Sequence, residues 1–158
     1  MPQTQYSVVF DIAQRELAWW PAALALVLLG LGFVAFFWGD RVGRIGESLR
    51  SLIVFGLLIG TWFGFHFSQF NRLRSASESG AYRTVEGRVE GFTVPPVGDH
   101  GPEVFQVNGQ RFEVEHPMTS EAFNWTVYDG GPDLTGRCVL VHYTRPNEII
   151  WLGVSTGC

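Results

Sequence analysis

The chain has 158 residues and a formal charge of −4, with 46% hydrophobic but only 16% charged residues, where an ordinary soluble domain carries about 25% charged. Its basic side chains are all arginine, and between Leu17 and Phe70 the only charges are Asp40, Arg41, Arg44, Glu47 and Arg50. This composition excludes a disordered chain, a disulfide-dense mini-protein and an ordinary soluble enzyme.

Residues 1–16 read as a mostly polar N-terminal segment. Leu17 to Trp38 then gives an uncharged run, LAWWPAALALVLLGLGFVAFFW, whose length as a helix is about 33 Å, enough for a hydrocarbon core of roughly 30 Å. Trp19 and Trp20 at one end and Trp38 at the other suit the interfacial belt of a membrane span. Pro21 falls in the first turn, where a missing N–H costs little. The run is too long, and lacks the small-residue cleavage pattern, for a signal peptide. It is expected to be a retained anchor, transmembrane helix 1.

Gly39 to Arg50 is a short polar loop, and Ser51 to Phe70, SLIVFGLLIGTWFGFHFSQF, is a second uncharged run and the expected transmembrane helix 2. Two spans joined this closely form an antiparallel hairpin with both chain ends on one side. Gly56, Gly60 and Gly64 recur every four residues and share a helix face, a groove that lets another helix approach closely. Span one is the expected occupant. His66, the only titratable group inside a span, lies near the interface and is expected to be an interfacial imidazole. The loop is dense in arginine (Arg41, Arg44, Arg50), which puts it in the cytoplasm and the C-terminal domain outside, although Arg72 and Arg74 argue the other way.

Residues 71–81 read as a linker that extends the second helix to Gly80. Beyond it, over residues 82–158, the hydrophobic period changes from helical to two. Tyr82 to Phe92 alternates as a long strand bent by Gly87 and Gly91, and Val94 to Pro102 is a loop. Asn108-Gly109 between alternating runs predicts a two-residue hairpin, because both central residues need positive φ. That turn pairs Val107 with Gln110 and Phe105 with Phe112. Arg137 to Thr144 and Glu148 to Val154 are the last two strands, turning at Arg145-Pro146-Asn147. Five mostly antiparallel strands predict a small β-barrel, OB-like with an SH3-like barrel as the alternative. Phe92, Phe105, Phe112, Phe123, Trp125, Tyr143 and Trp151 are its expected aromatic core. The fold class is thus an α + β membrane protein, a two-helix hairpin followed by the barrel.

The sequence contains no P-loop, GxSxG, HExxH or C-x-x-C pattern, so no catalytic residue, metal or cofactor is expected. Asp99, His100 and Glu103 crowd one loop and form the only candidate binding cluster, although a solvated turn explains such residues as well. Residues 80–158 carry ten acids against five arginines, a poor surface for nucleic acid, whose affinity rests on clustered basic side chains. Cys138 is expected opposite residue 155, which leaves Cys158 about 10 Å past register. Two free thiols are therefore expected, since a disulfide would require the tail to fold back.

The pattern VEGRVEGF, then GDHGPEVFQVNGQRFEV, then GGP and GRCVLVHY with IIWLGV resembles a group of bacterial membrane proteins of uncharacterised activity that carry two spans and a small β domain. Its motifs fall on Glu86-Gly87, Val89, Phe92, Gly98, His100, Glu103, Phe105 and Gly130-Gly131, with Asp99 interrupting the usual Gly-His spacing. The resemblance implies the fold and a membrane location, and no known activity. The expected function is a non-catalytic, membrane-anchored module whose partners are membrane lipid and an envelope protein or a second copy. The alternative is an accessory subunit docked through the Gly56/Gly60/Gly64 face. A metal or enzyme site at Asp99/His100/Glu103 is the weakest reading.

Overall fold

The computed structural model describes residues 5–38, 44–96, 101–115 and 121–155. In chain order these form strand β1 (Ser7–Asp11), a 3₁₀ turn (Ile12–Gln14), helices α1 (Trp20–Trp38) and α2 (Arg44–Ser79), and strands β2 (Arg83–Thr93), β3 (Glu103–Val107), β4 (Gln110–Val114), β5 (Cys138–Tyr143) and β6 (Ile149–Ser155). A second 3₁₀ turn, Val127–Asp129, lies between β4 and β5. The chain divides into a helical unit, residues 16–68, and a sheet unit made of residues 5–15 and 69–155.

In the helical unit, α1 and α2 pack antiparallel. A side chain on Gly32 would strike Ile53; one on Gly56 would reach Leu29 Cγ at 2.8 Å; one on Gly60 would meet Ala25 Cβ at 3.9 Å. The rings of Phe63 and Phe67 lie 6.3 and 6.0 Å from Trp19. Partner numbers fall along α2 as they rise along α1, and the missing side chains let the two backbones close in. The remaining faces stay uncovered, with Leu26, Leu58, Trp62 and Phe65 all more than half exposed. Among the described residues one stretch, Ser51–Ser79 of α2, is long and apolar enough to cross a membrane, while the apolar segment Trp20–Val34 of α1 is shorter. The linker expected at 71–81 is helical up to Ser79.

The sheet corrects the expected five-stranded barrel. It has six strands, all antiparallel, in the order β1-β6-β5-β2-β3-β4, and it is open, with β1 and β4 as its edges. The sixth strand comes from the N-terminal segment read as polar: Ser7 pairs with Val154 and Asp11 with Trp151. The long β2 serves both halves. Arg83 to Arg88 pair with β5, and Val89 onward pairs with β3 across an irregularity between Glu90 and Thr93. Gly91 sits in that irregularity at φ +61°, a left-handed backbone that bends a strand at little cost only for glycine.

The hairpin holds as expected. Asn108 and Gly109 both have positive φ, 47° and 78°, and Phe105 pairs with Phe112 and Val107 with Gln110. The bend brings the two halves onto one core that includes Val89, Phe105, Val107, Phe112, Phe123, Val139, Val141, Tyr143 and Leu152, with Phe92 packed against it. Phe105 and Phe112 stack at 5.2 Å, and Phe112 meets Tyr143 edge-on at 5.1 Å. Two of the expected core aromatics lie elsewhere: Trp125 is 55% exposed and Trp151 pairs with His142 on the opposite face. The cause for Trp151 is the register shift between His142 and Tyr143, which places Ile149 opposite Tyr143 and reverses the alternation beyond it.

Residues 69–79 of α2 are fixed to the β5–β6 turn. Arg72 donates to both carboxylate oxygens of Glu148, at 2.7 and 3.1 Å, the paired geometry that suits guanidinium. Thr144 Oγ1 donates to the same carboxylate at 2.6 Å. Burial alone would raise the Glu148 carboxyl, but hydrogen bonds from Arg72 and Thr144, with the charges of Arg72 and Arg145, hold it below the usual carboxylate range. Phe70 and Leu73, on the same stretch of helix, are buried.

Cys138 is disulfide-bonded, which corrects the expectation of two free thiols. The chain has one other cysteine, Cys158, which lies outside the described residues. Cys138 does sit opposite Ser155.

Candidate binding groove and the outer face of the sheet

The run Val8-Val9-Phe10 favours a strand because β-branched and aromatic side chains fit a half-buried pleated surface. Asp11 ends β1 by capping the following 3₁₀ turn: its Oδ1 accepts from Ala13 N–H at 2.9 Å and its Oδ2 from Gln14 Nε2 at 3.0 Å. The turn brings Arg15 back toward the segment before the second 3₁₀ turn, where its Nη1 donates to the Glu121 carbonyl at 3.3 Å. That segment is held to the sheet by Phe123 N–H donating to the Ile149 carbonyl at 2.8 Å, and the Phe123 ring lies 5.6 Å from that of Phe10.

Between these pieces runs a groove of about 340 Å³ lined by Val9, Phe10, Asp11, Gln14, Arg15, Phe123, Asn124 and Trp125. This is at the lower end of the sizes that hold small ligands. Its walls are apolar, its rim is the exposed Trp125 indole, and its charges are one guanidinium and one carboxylate. No ion pair to Arg15 occurs among the described residues. None of the candidate site residues read from sequence lines it, although Phe123 and Trp125, expected in the aromatic core, do. The signal was the Val8-Val9-Phe10 run, five residues ahead of Arg15 and hidden in a polar context.

On the sheet's outer face the rings of Tyr82, His142 and Trp151 stack in a row, at 4.5 and 5.0 Å. The Trp151 ring lies over Gly153, leaving no room there for a side chain. Beside the row, Tyr6 donates its hydroxyl to Glu86 Oε1 at 2.6 Å. Burial first, and then the Glu86 bond, push the Tyr6 phenol up to about 12. Burial holds the His142 imidazole below its ordinary value, against the pull of the Asp11 charge. The row links the residue just before β2 to β5 and β6.

Of the loop cluster, Asp99 and His100 lie outside the described residues, while Glu103 opens β3 and is 3% exposed. Its Oε1 accepts from the Val127 N–H at 2.7 Å and so anchors the second 3₁₀ turn. Burial chiefly, with the charges of Asp129 and Asp133, pushes the Glu103 carboxyl up, against that hydrogen bond. No group of three or more His, Cys, Asp or Glu side chains able to hold a metal occurs among the described residues. In the helical unit, Gly56 and Gly60 face α1, and Gly64 has nothing within 4 Å of an added side chain. His66 packs its ring 4.4 Å from Trp62.

Comparison of the chain with protein-family models, with curated proteins and with solved structures finds no match.

Proposed function

We propose that the chain is a membrane-anchored β module that serves as a protein- or envelope-binding domain without catalysis, in a bacterial inner membrane. The observation that carries the anchoring is the pairing of β1 with β6. These strands flank the two apolar helices in sequence, so both flanks lie on one side of any membrane the helices enter. A single crossing would separate them. The helices therefore cross as a pair or not at all, and their uncovered leucine, tryptophan and phenylalanine side chains favour crossing.

The Cys138 disulfide supports placing the sheet unit outside the cytoplasm, where such bonds persist. A phosphatase fused after Cys158 should be active and a fluorescent protein fused there dark, and the reverse pattern would put the module in the cytoplasm. Crosslinking with mass spectrometry in native membranes should then link the sheet unit to an envelope partner. Crosslinks confined to α1 and α2 would favour the alternative, an accessory subunit docked through Gly56, Gly60 and Gly64. That alternative draws less support, since two of those three glycines already meet α1.

A further inference from the structure

We infer that the groove between β1 and the 121–125 segment binds the headgroup and first acyl carbons of a zwitterionic aminophospholipid, phosphatidylethanolamine. The inference rests on the proposed membrane anchoring and extends it. Arg15, which lines the groove, is followed only by Glu16, Leu17, Ala18 and Trp19 before α1 begins at Trp20. Fully extended, that tether is at most about 18 Å long, so Arg15 stays within that reach of the start of α1. Trp19 and Trp20, 67% and 68% exposed, are the residue type that marks the headgroup level.

The lining suits one end of a lipid. Val9, Phe10, Phe123 and Trp125 offer an apolar wall, and a cavity of about 340 Å³ takes a headgroup with part of a tail but not a whole lipid. The charges then select the headgroup. Arg15 is the only cation in the lining and has donors left after its bond to Glu121, in a planar arrangement matched to a phosphate. Asp11 stands in the same lining. Each of its oxygens accepts one hydrogen bond from the protein, yet a carboxylate has about four acceptor sites, so it retains capacity for an ammonium. A phosphate paired with a primary ammonium satisfies both charges. A phosphatidylglycerol headgroup offers Asp11 only neutral hydroxyls and no opposite charge, and a quaternary ammonium has no N–H to donate to it.

The test uses the full chain in lipid nanodiscs doped with phosphatidylethanolamine carrying a photoreactive acyl chain, followed by peptide mapping of adducts. Parallel discs carry the same photoreactive chain on phosphatidylglycerol or phosphatidylcholine. Phosphatidylethanolamine should label residues 9–15 and 121–125 at least about fivefold more than either other lipid, with all three labelling residues 51–70 alike. Arg15→Gln should remove most of the groove labelling and Arg15→Lys should restore part of it. Equal groove labelling by the three lipids overturns the headgroup assignment. Labelling of residues 51–70 without the groove overturns the site while leaving the anchoring intact. No labelling of residues 51–70 overturns the anchoring itself, and the inference falls with it.

Discussion

Leu58, Trp62 and Phe65 on α2 leave more than half of their surface uncovered, whereas Phe105, Phe112 and Leu152 in the sheet unit leave none. The side chains are of the same kinds, and the difference lies in what surrounds them. In the sheet unit apolar surface is hidden by a bent sheet folding over itself, the arrangement water drives. In the helical unit the described seam between α1 and α2 sets glycines against Ile53, Leu29 and Ala25, with Trp19, Phe63 and Phe67 at one end. A seam of glycines suits helices whose solvent is lipid, where apolar burial supplies no drive and close backbone approach does. The division between the two units falls inside a continuous helix, near Gln69.

The strongest way to break this contrast is to remove a large ring from each region. Phe112→Ala should cost the sheet unit about 3–5 kcal/mol, the usual loss for a fully buried aromatic, read by denaturant unfolding with near-ultraviolet circular dichroism. Phe65→Ala in nanodiscs should change helical stability by less than about 1 kcal/mol. Equal losses would mean that the two regions share one solvent.

Overpacking sharpens the same contrast within the helices. Gly56→Leu should force α1 and α2 apart at a cost of about 1–3 kcal/mol, whereas Gly64→Leu should be close to neutral. Spin-label distances between the two helices in nanodiscs would show the first variant shifted and the second unchanged.

The Arg72–Glu148 clamp tests where the sheet unit takes hold of α2. Glu148→Gln should destabilise the sheet unit by roughly 1–3 kcal/mol, the range for hydrogen bonds to a charged group. Acid should act in the same direction. The folded Glu148 carboxyl lies below its ordinary value of 4.5, so its contribution is full above that value and is lost as pH falls through the lower, folded value. A stability profile of Glu148→Gln as acid-sensitive as the native one would remove Glu148 as the cause.

The smallest effect concerns the outer face. Tyr6, whose phenol is pushed up to about 12, should ionise above the ordinary phenol range in an absorbance titration. Glu86→Gln should bring it down toward the ordinary value of 10.0, with little change in unfolding temperature.

What could be read from sequence was what local chemistry decides. Asn108-Gly109 specified its hairpin and register because positive φ at two successive positions admits few alternatives. The turn at Arg145-Pro146-Asn147 joins β5 to β6 as expected, while the pairing of Cys138 with Ser155 also needs the register shift between His142 and Tyr143. What escaped depends on distant partners. Ser7–Asp11 has no turn beside it, and its partner lies beyond both helices. Whether β1 and β4 meet to close a barrel is settled by accumulated twist, which no short pattern records. The groove escaped for the same reason, since Arg15 and Glu121 become neighbours only once β1 has docked. Trp151 was misplaced by a single register shift that no residue in Glu148 to Val154 announces.

The pairing of β1 with β6 also governs the order in which the molecule can be finished. At roughly 5–20 residues per second, synthesis leaves β1 without its neighbour for on the order of ten seconds. During that interval Val8, Val9 and Phe10 form an unpaired apolar edge, the kind of segment that invites pairing with another chain. β6 has to find both β5 and this waiting edge, so the pairing of β1 depends on long-range closure. A nascent chain held before Ile149 should therefore leave β1 open to proteases, and release past Ser155 should protect it.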